Sequence, residues 1–279
     1  MPEGDTIFRT ARALGRALGG REVTSFRSTY PTLTRFHDDE PITGRTVDRV
    51  EARGKWLLVH FSGGATLATH MLMSGSWHIY RPGERWQQPR QNLRIAIENA
   101  EFIAIGFKVP VAQMHTALTL RRDARIPPPE TDVLKDSFDA AEAVSKMRER
   151  AGEEIADVLL DQKVLAGVGN VFKSEICFVC GVDPFSRVEA LSDESLTALA
   201  TAARKLVGAN VLEDSGETIV TYGGRWRRTT RASDPAESLW VYGRVGEPCR
   251  RCGARIESRL QGPNARVSYW CSGCQRDSY

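Results

Sequence analysis

The chain has 279 residues, 41% of them apolar and 26% charged, with a formal net charge of +3. Such a composition fits a soluble globular protein of two domains and a small appendage. No apolar run approaches the roughly 20 residues of a membrane helix, and the acidic N-terminus carries no secretory core. A cytoplasmic protein is therefore expected, with no membrane partner, whose six cysteines serve as metal ligands or free thiols.

Met1-Pro2-Glu3-Gly4-Asp5 opens the chain. Removal of Met1 would leave the secondary amine of Pro2 free, and an α-amino group titrates at about 7.7–8.0, so part of it is neutral and nucleophilic near pH 7. Attack on an aldehyde-like carbon gives an iminium whose charge acidifies neighbouring C–H bonds. Routine trimming of a Met-Pro start is the plain alternative. Ile7, Ala11, Leu14 and Leu18 recur at helical spacing, and Gly19-Gly20 ends the pattern. Short β-type runs follow at 55–61, 66–73, 76–80, 93–98 and 101–107, separated by turn residues, the pattern of an antiparallel sandwich. Within them, His70-Met71-Leu72-Met73-Ser74-Gly75 reads as a strand-to-strand turn carrying three adjacent apolar side chains. Residues 125–129, with three consecutive prolines, read as a linker. Helices are expected at 138–150, 153–160, 170–180 and 193–212, a loop at 216–234, and a cysteine-bearing hairpin over 238–279.

Three features of the second half carry chemistry. Gly167-Val168-Gly169-Asn170 joins two helices, with Asn170 read as an N-cap; exposed amides there would suit a phosphate, and a plain helix hairpin fits equally well. Cys249-x2-Cys252 and Cys271-x2-Cys274, eighteen residues apart, have the spacing of a structural zinc site closed by four thiolates. Cys177 and Cys180 lie in an apolar run and read as buried free thiols. Charge is also uneven: from Val220 to Tyr279 there are eleven arginines, no lysines and five acids, a net +6. An arginine-only basic segment suits phosphate recognition, although arginine replacing lysine in a high-GC genome gives the same composition.

Four separated elements resemble the Fpg/Nei family of bifunctional DNA glycosylases. They are Pro2-Glu3-Gly4, Arg53-Gly54-Lys55 before Trp56-Leu57-Leu58, Gly167-Val168-Gly169-Asn170, and the cassette of Cys249, Cys252-Gly253, Asn264-Ala265-Arg266 and Tyr269-Trp270-Cys271. They run in family order from residue 2 to 276, with weak zones at 21–46 and 81–150. The resemblance implies an α+β multidomain fold: a β-sandwich bearing the catalytic helix (1–124), a linker (125–131), a helix–two-turn–helix domain (132–237) and a zinc finger (238–279), with damaged or abasic double-stranded DNA between them and a monomeric protein.

It also implies roles. Pro2 is the expected nucleophile at C1′, Glu3 the acid/base at the sugar ring oxygen, and Lys55 a catalytic neighbour of the lesion phosphate. Asn170 and Arg266 are expected to grip that phosphate region, Arg266 as a catalytic residue that also supports the second elimination, with Gly167 and Gly169 shaping the turn and Arg125 contacting DNA. A base taken out of the stack leaves a gap, and Leu72 and Met73 are the candidates to fill it. Departures point to the Nei branch of high-GC bacteria, which favours oxidised pyrimidines and abasic sites. Asp5-Thr6 stands where the family often has Pro-Glu, and the Arg/Phe wedge pair of the Fpg branch is missing from Gly106-Phe107-Lys108-Val109-Pro110-Val111. A catalytically lapsed relative that only binds damaged DNA is the competing expectation.

Overall fold

The structure, a computed structural model, describes residues 2–212, 227–230 and 234–276. The loop expected at 216–234 lies largely outside the described residues. Contacts divide the described chain into two compact units, with the boundary between Ile126 and Pro127.

The first unit opens with helix α1 (Gly4–Leu18). Its Ile7, Ala11, Leu14 and Leu18 are all buried, so the helical spacing of those four residues is the face that packs. Then come β1 (Ser25–Ser28), α2 (Pro31–Asp39), β2 (Val47–Arg53), β3 (Trp56–Phe61), β4 (Thr66–His70) and β5 (Ser76–Tyr80). The unit ends with β6 (Leu93–Glu98), β7 (Ile103–Phe107), β8 (Val111–His115) and the short α3 (Ala117–Arg122). Two four-stranded sheets result, in the orders β2-β3-β4-β8 and β1-β6-β7-β5. All their pairings are antiparallel.

The inner faces of both sheets and α1 share one core, which includes Leu14, Leu57, Leu67, Trp77 and Ile95. Trp77 also links the sheets by donating its indole N–H to the Thr69 hydroxyl at 3.3 Å. Every residue of β3 is buried, because Trp56 and Leu58 on its outer face are covered by Leu120 and Ile126. Strand 66–73 is shorter than its apolar run suggested. β4 stops at His70, and the chain turns through Met71–Gly75, where Leu72 has a left-handed φ of 45°.

The second unit contains α4 (Ala140–Arg148), α5 (Ile155–Leu160), α6 (Asn170–Cys180), α7 (Asp193–Leu212) and the hairpin β9 (Ile256–Gln261) and β10 (Arg266–Cys271). α4 to α7 close one apolar core around Phe172 and Ile176. α6 is almost wholly buried and ends at Gly181, whose φ of 72° supplies the left-handed C-cap. The cysteine cassette packs through Val241, Cys249, Ile256 and Cys271 onto Phe178 of the same helix.

Candidate active site and nucleic-acid interface

In the first unit, Glu3 occupies the N-cap position of α1 in extended backbone. Its carbonyl accepts the amides of Thr6 and Ile7, and its side chain makes no capping bond to the helix. The whole residue is buried, as is Asp5 in the first turn. Asp5 holds Arg9 at 3.4 Å and accepts the Thr6 hydroxyl at 3.3 Å. Thr6 thus stands where the family often has a carboxylate, and the acid of this first turn is Asp5. Pro2 is partly exposed at the start of the helix; Met1 lies outside the described residues.

Lys55 stands in the two-residue turn Gly54-Lys55 that joins β2 to β3, closed by the pair Arg53 and Trp56. Gly54 has a φ of 57°, a conformation that suits glycine in so tight a hairpin. The charge of Lys55 reaches His70 at the end of β4. Burial first, and Lys55 second, lower the His70 pKa to about 4, so its imidazole is neutral at pH 7. Beyond His70 the turn exposes two large apolar side chains, Leu72 at 46% and Met73 at 66%, whereas Met71 is buried in the core. Arg125 lies on the outer face of the same sheet. Its guanidinium bonds the Asp123 carboxylate and the Gln113 side-chain oxygen and sits 5.9 Å over the Trp56 ring. That hydrogen bond to Arg125 is the main cause of a lowered Asp123 pKa.

In the second unit, Gly169 is the N-cap of α6 and Asn170 is its first helical residue, one position later than expected. Asn170 works across space instead: its amide donates to the Val267 carbonyl on β10 at 2.9 Å. Its Oδ1 is buried without a hydrogen-bond partner among the described residues. The turn amides are less open than expected, since Gly167 N–H is taken by the Gln162 side-chain oxygen at 3.0 Å. Gln162 also donates to the carbonyls of Leu160 and Val168, so one side chain staples the whole turn. Gly167 contributes a φ of 99° that a side chain would resist.

Arg266 begins β10, paired with Gln261 and exposed, directly beside the Val267 that Asn170 grips. The two expected phosphate contacts of this unit thus share one strand end. A buried polar ladder holds that strand end on the helices. Lys173 donates to Ser268 at 2.7 Å, Ser268 donates to Gln261, and Gln261 donates to Glu154 at 2.7 Å. Gly262 at the hairpin bend lies so close to Asp157 that a Cβ there would come within 2.6 Å of its carboxylate. Sequence reasoning missed this ladder and Glu175, whose carboxylate accepts the backbone amides of Trp240, Val241 and Tyr242. Its signal was Lys173-Ser174-Glu175, three polar residues in the middle of an apolar helix.

The four cassette cysteines carry no disulfide, and their sulfurs all lie within 4.8 Å of one another. Sulfur pairs Cys249–Cys274 and Cys252–Cys271 are 3.9 Å and 3.4 Å apart. Tetrahedral thiolates about 2.3 Å from one ion stand about 3.8 Å apart, so the four fit a single metal ion. Cys177 and Cys180 lie apart from this group; burial pushes their thiols up to about 12 and about 11, which makes them inert.

Two family models match the chain: the formamidopyrimidine-DNA glycosylase N-terminal domain over residues 1–106 and the formamidopyrimidine-DNA glycosylase H2TH domain over residues 130–221. A probable endonuclease 8 2 of Streptomyces coelicolor is 37% identical across 99% of this chain and 94% of that protein. The DNA-(apurinic or apyrimidinic site) lyase Nei2 of Mycolicibacterium smegmatis is 35% identical over the full length of both. Among solved structures, MutM in complex with DNA containing carbocyclic 8-oxo-G superposes with a TM-score of 0.81 at 21% identity, covering 99% of this chain and all of that one. Domain matches, full-length identity to endonuclease 8 proteins of high-GC bacteria and the shared fold agree: the chain belongs to the Fpg/Nei family.

Proposed function

We propose that this protein is a bifunctional DNA glycosylase and abasic-site lyase of base excision repair. The reading rests on Pro2-Glu3 at the head of α1, with the Glu3 carboxyl fully buried in a domain that matches the glycosylase family. The Pro2 nitrogen attacks C1′ of the damaged nucleotide while Glu3 delivers a proton to the ring oxygen, and the base departs. Ring opening develops alkoxide on the sugar oxygen, which a carboxylic acid beside it can protonate. The resulting iminium acidifies C2′–H; loss of that proton breaks the C3′–O bond, and a second elimination breaks the C5′–O bond. Water then hydrolyses the iminium and returns the amine.

Lys55, Asn170 and Arg266 supply phosphate grip in this reading, and Arg125 a further backbone contact. Leu72 and Met73 fill the vacated stack, and Gly167 and Gly169 set the turn ahead of Asn170. Cys249, Cys252, Cys271 and Cys274 would hold one structural zinc ion, which supplies folding energy to a segment with little core of its own. Oxidised pyrimidines and abasic sites are the proposed substrates, by likeness to the endonuclease 8 proteins. Residence on the nucleoid follows from DNA binding; no helix among the described residues is long and apolar enough to cross a membrane.

Borohydride reduction in the presence of an abasic-site duplex tests the reading. A covalent protein–DNA adduct that maps to Pro2 is expected. Absence of an adduct from protein verified to lack Met1 would overturn it.

A further inference from the structure

We infer that His70 is the positioning residue of the exposed Leu72-Met73 tip: it braces, through Nδ1, the strained backbone that presents these side chains to DNA. The inference rests on the glycosylase reading above.

Three observations meet at this residue. The tip is strained, since Leu72 has a φ of 45°, a region that a bulky residue avoids unless its surroundings enforce it. His70 supplies one part of that enforcement by accepting the Leu72 amide at Nδ1, at 3.1 Å. The other part is Gly75, whose amide closes the turn onto the Met71 carbonyl at 2.8 Å. A Cβ on Gly75 would stand 2.8 Å from that same oxygen and 3.1 Å from the Val109 Cα. The tip is therefore pinned on both sides of Leu72 and Met73.

The imidazole is itself fixed. Its ring meets the edge of Trp56 at 5.2 Å with an interplanar angle of 84°, and Trp56 is anchored by donating its indole N–H to the Arg125 carbonyl at 3.0 Å. An imidazolium would have no lone pair at Nδ1 and could not accept from Leu72. The neighbouring Lys55 charge and the burial of the ring both oppose that protonated form. The result is a rigid acceptor, kept neutral, beneath two adjacent apolar side chains that both face solvent. Exposed apolar groups on a strained, braced turn suit a wedge that must push into a base stack without folding back.

The test uses the full-length protein and two abasic substrates, one a duplex and the other the same strand alone, which has no stack to refill. The Leu72 amide is exposed, and loss of one such intramolecular hydrogen bond is worth up to about tenfold. His70→Ala is thus expected to slow nicking of the duplex by about that factor and to leave the single strand nearly unchanged. His70→Asn, whose Oδ1 can replace Nδ1 as acceptor, should restore most of the duplex rate. A 2-aminopurine placed opposite the abasic site should report loss of gap filling in His70→Ala while binding persists. In a double-mutant cycle, His70→Ala should add little to a Leu72→Ala/Met73→Ala background, since both act through the same tip. Equal loss on duplex and single strand, or additive losses in the cycle, would overturn the inference. If wild-type protein nicks neither substrate, it is the glycosylase reading that fails, and that result is separate from either outcome for His70.

Discussion

Replacing Glu175 by glutamine should loosen the attachment of the cysteine cassette to α6. The carboxylate is fully buried and is saturated with donors. Oε1 accepts the amides of Val241 and Tyr242 at 2.9 and 2.8 Å; Oε2 accepts the amide of Trp240 at 2.8 Å and the hydroxyl of Thr229. Three consecutive backbone N–H groups thus converge on one side chain. A glutamine keeps one acceptor oxygen and turns the other into an NH2 group, which must face donors whichever way the amide is flipped. The milder orientation aims NH2 at Trp240 N–H and Thr229, because the Thr229 hydroxyl can turn towards the Ser238 carbonyl at 3.4 Å. One stranded buried amide costs about 1–3 kcal/mol, and two remaining bonds lose their charge assistance, so a total of about 3 kcal/mol is expected. Against a typical stability of about 5–15 kcal/mol this is readily measured by urea unfolding. Thiol-reagent labelling of the metal-free protein should show faster reaction at the cassette cysteines in the variant. A Glu175→Gln protein within about 0.5 kcal/mol of wild type, a change typical of surface positions, would refute the reasoning.

Three further outcomes follow from the geometry. Metal analysis should find one zinc ion per chain, and Cys271→Ser, at a fully buried ligand position, should abolish it and lower the melting temperature. Gly75→Ala should destabilise by about 1–3 kcal/mol through overpacking against backbone atoms that cannot yield, as read by thermal or urea unfolding. His70, with its pKa lowered to about 4 in the fold against about 6.5 in an unfolded chain, binds its proton more readily when unfolded. Its stabilisation is therefore complete above pH 6.5 and is lost as the pH falls towards 4. His70→Asn should flatten the fall in stability across that window by about 1–2 kcal/mol, a figure discounted for partial solvent access to the ring, and an unchanged slope would count against it.

Much of the fold was legible because its signals are periodic. Ile7, Ala11, Leu14 and Leu18 mark the packed face of α1, and the α7 span Asp193–Leu212 matches its expected limits. The cysteine cluster was legible from spacing alone. What escaped lacks a periodic signature. β1, with four residues, and α2 lie in a polar stretch and are ordered by tertiary contacts, with Phe26 and Leu33 reaching the common core. The end of β4 was obscured because Met71-Leu72-Met73 continues an apolar run into a turn. Asn170 was read as a cap from its position after glycine, yet its amide reaches residue 267. Long-range hydrogen bonds such as this one, and the four donors gathered by Glu175, leave no trace in local pattern. The Fpg/Nei resemblance supplied the candidate site residues; the structure added the side chains packed and hydrogen-bonded around them.

β10 has Arg266 at one end and the buried Cys271 at the other, five steps and about 17 Å apart at strand spacing. In a two-stranded ribbon, sliding by one residue reverses the face of every side chain. A sulfur cluster that clamps one end of the strand therefore also sets the aim of the arginine at the far end. The thiolate cluster at one end and the Lys173–Ser268 bond near the other thus share the task of fixing the register on which the proposed phosphate contact depends.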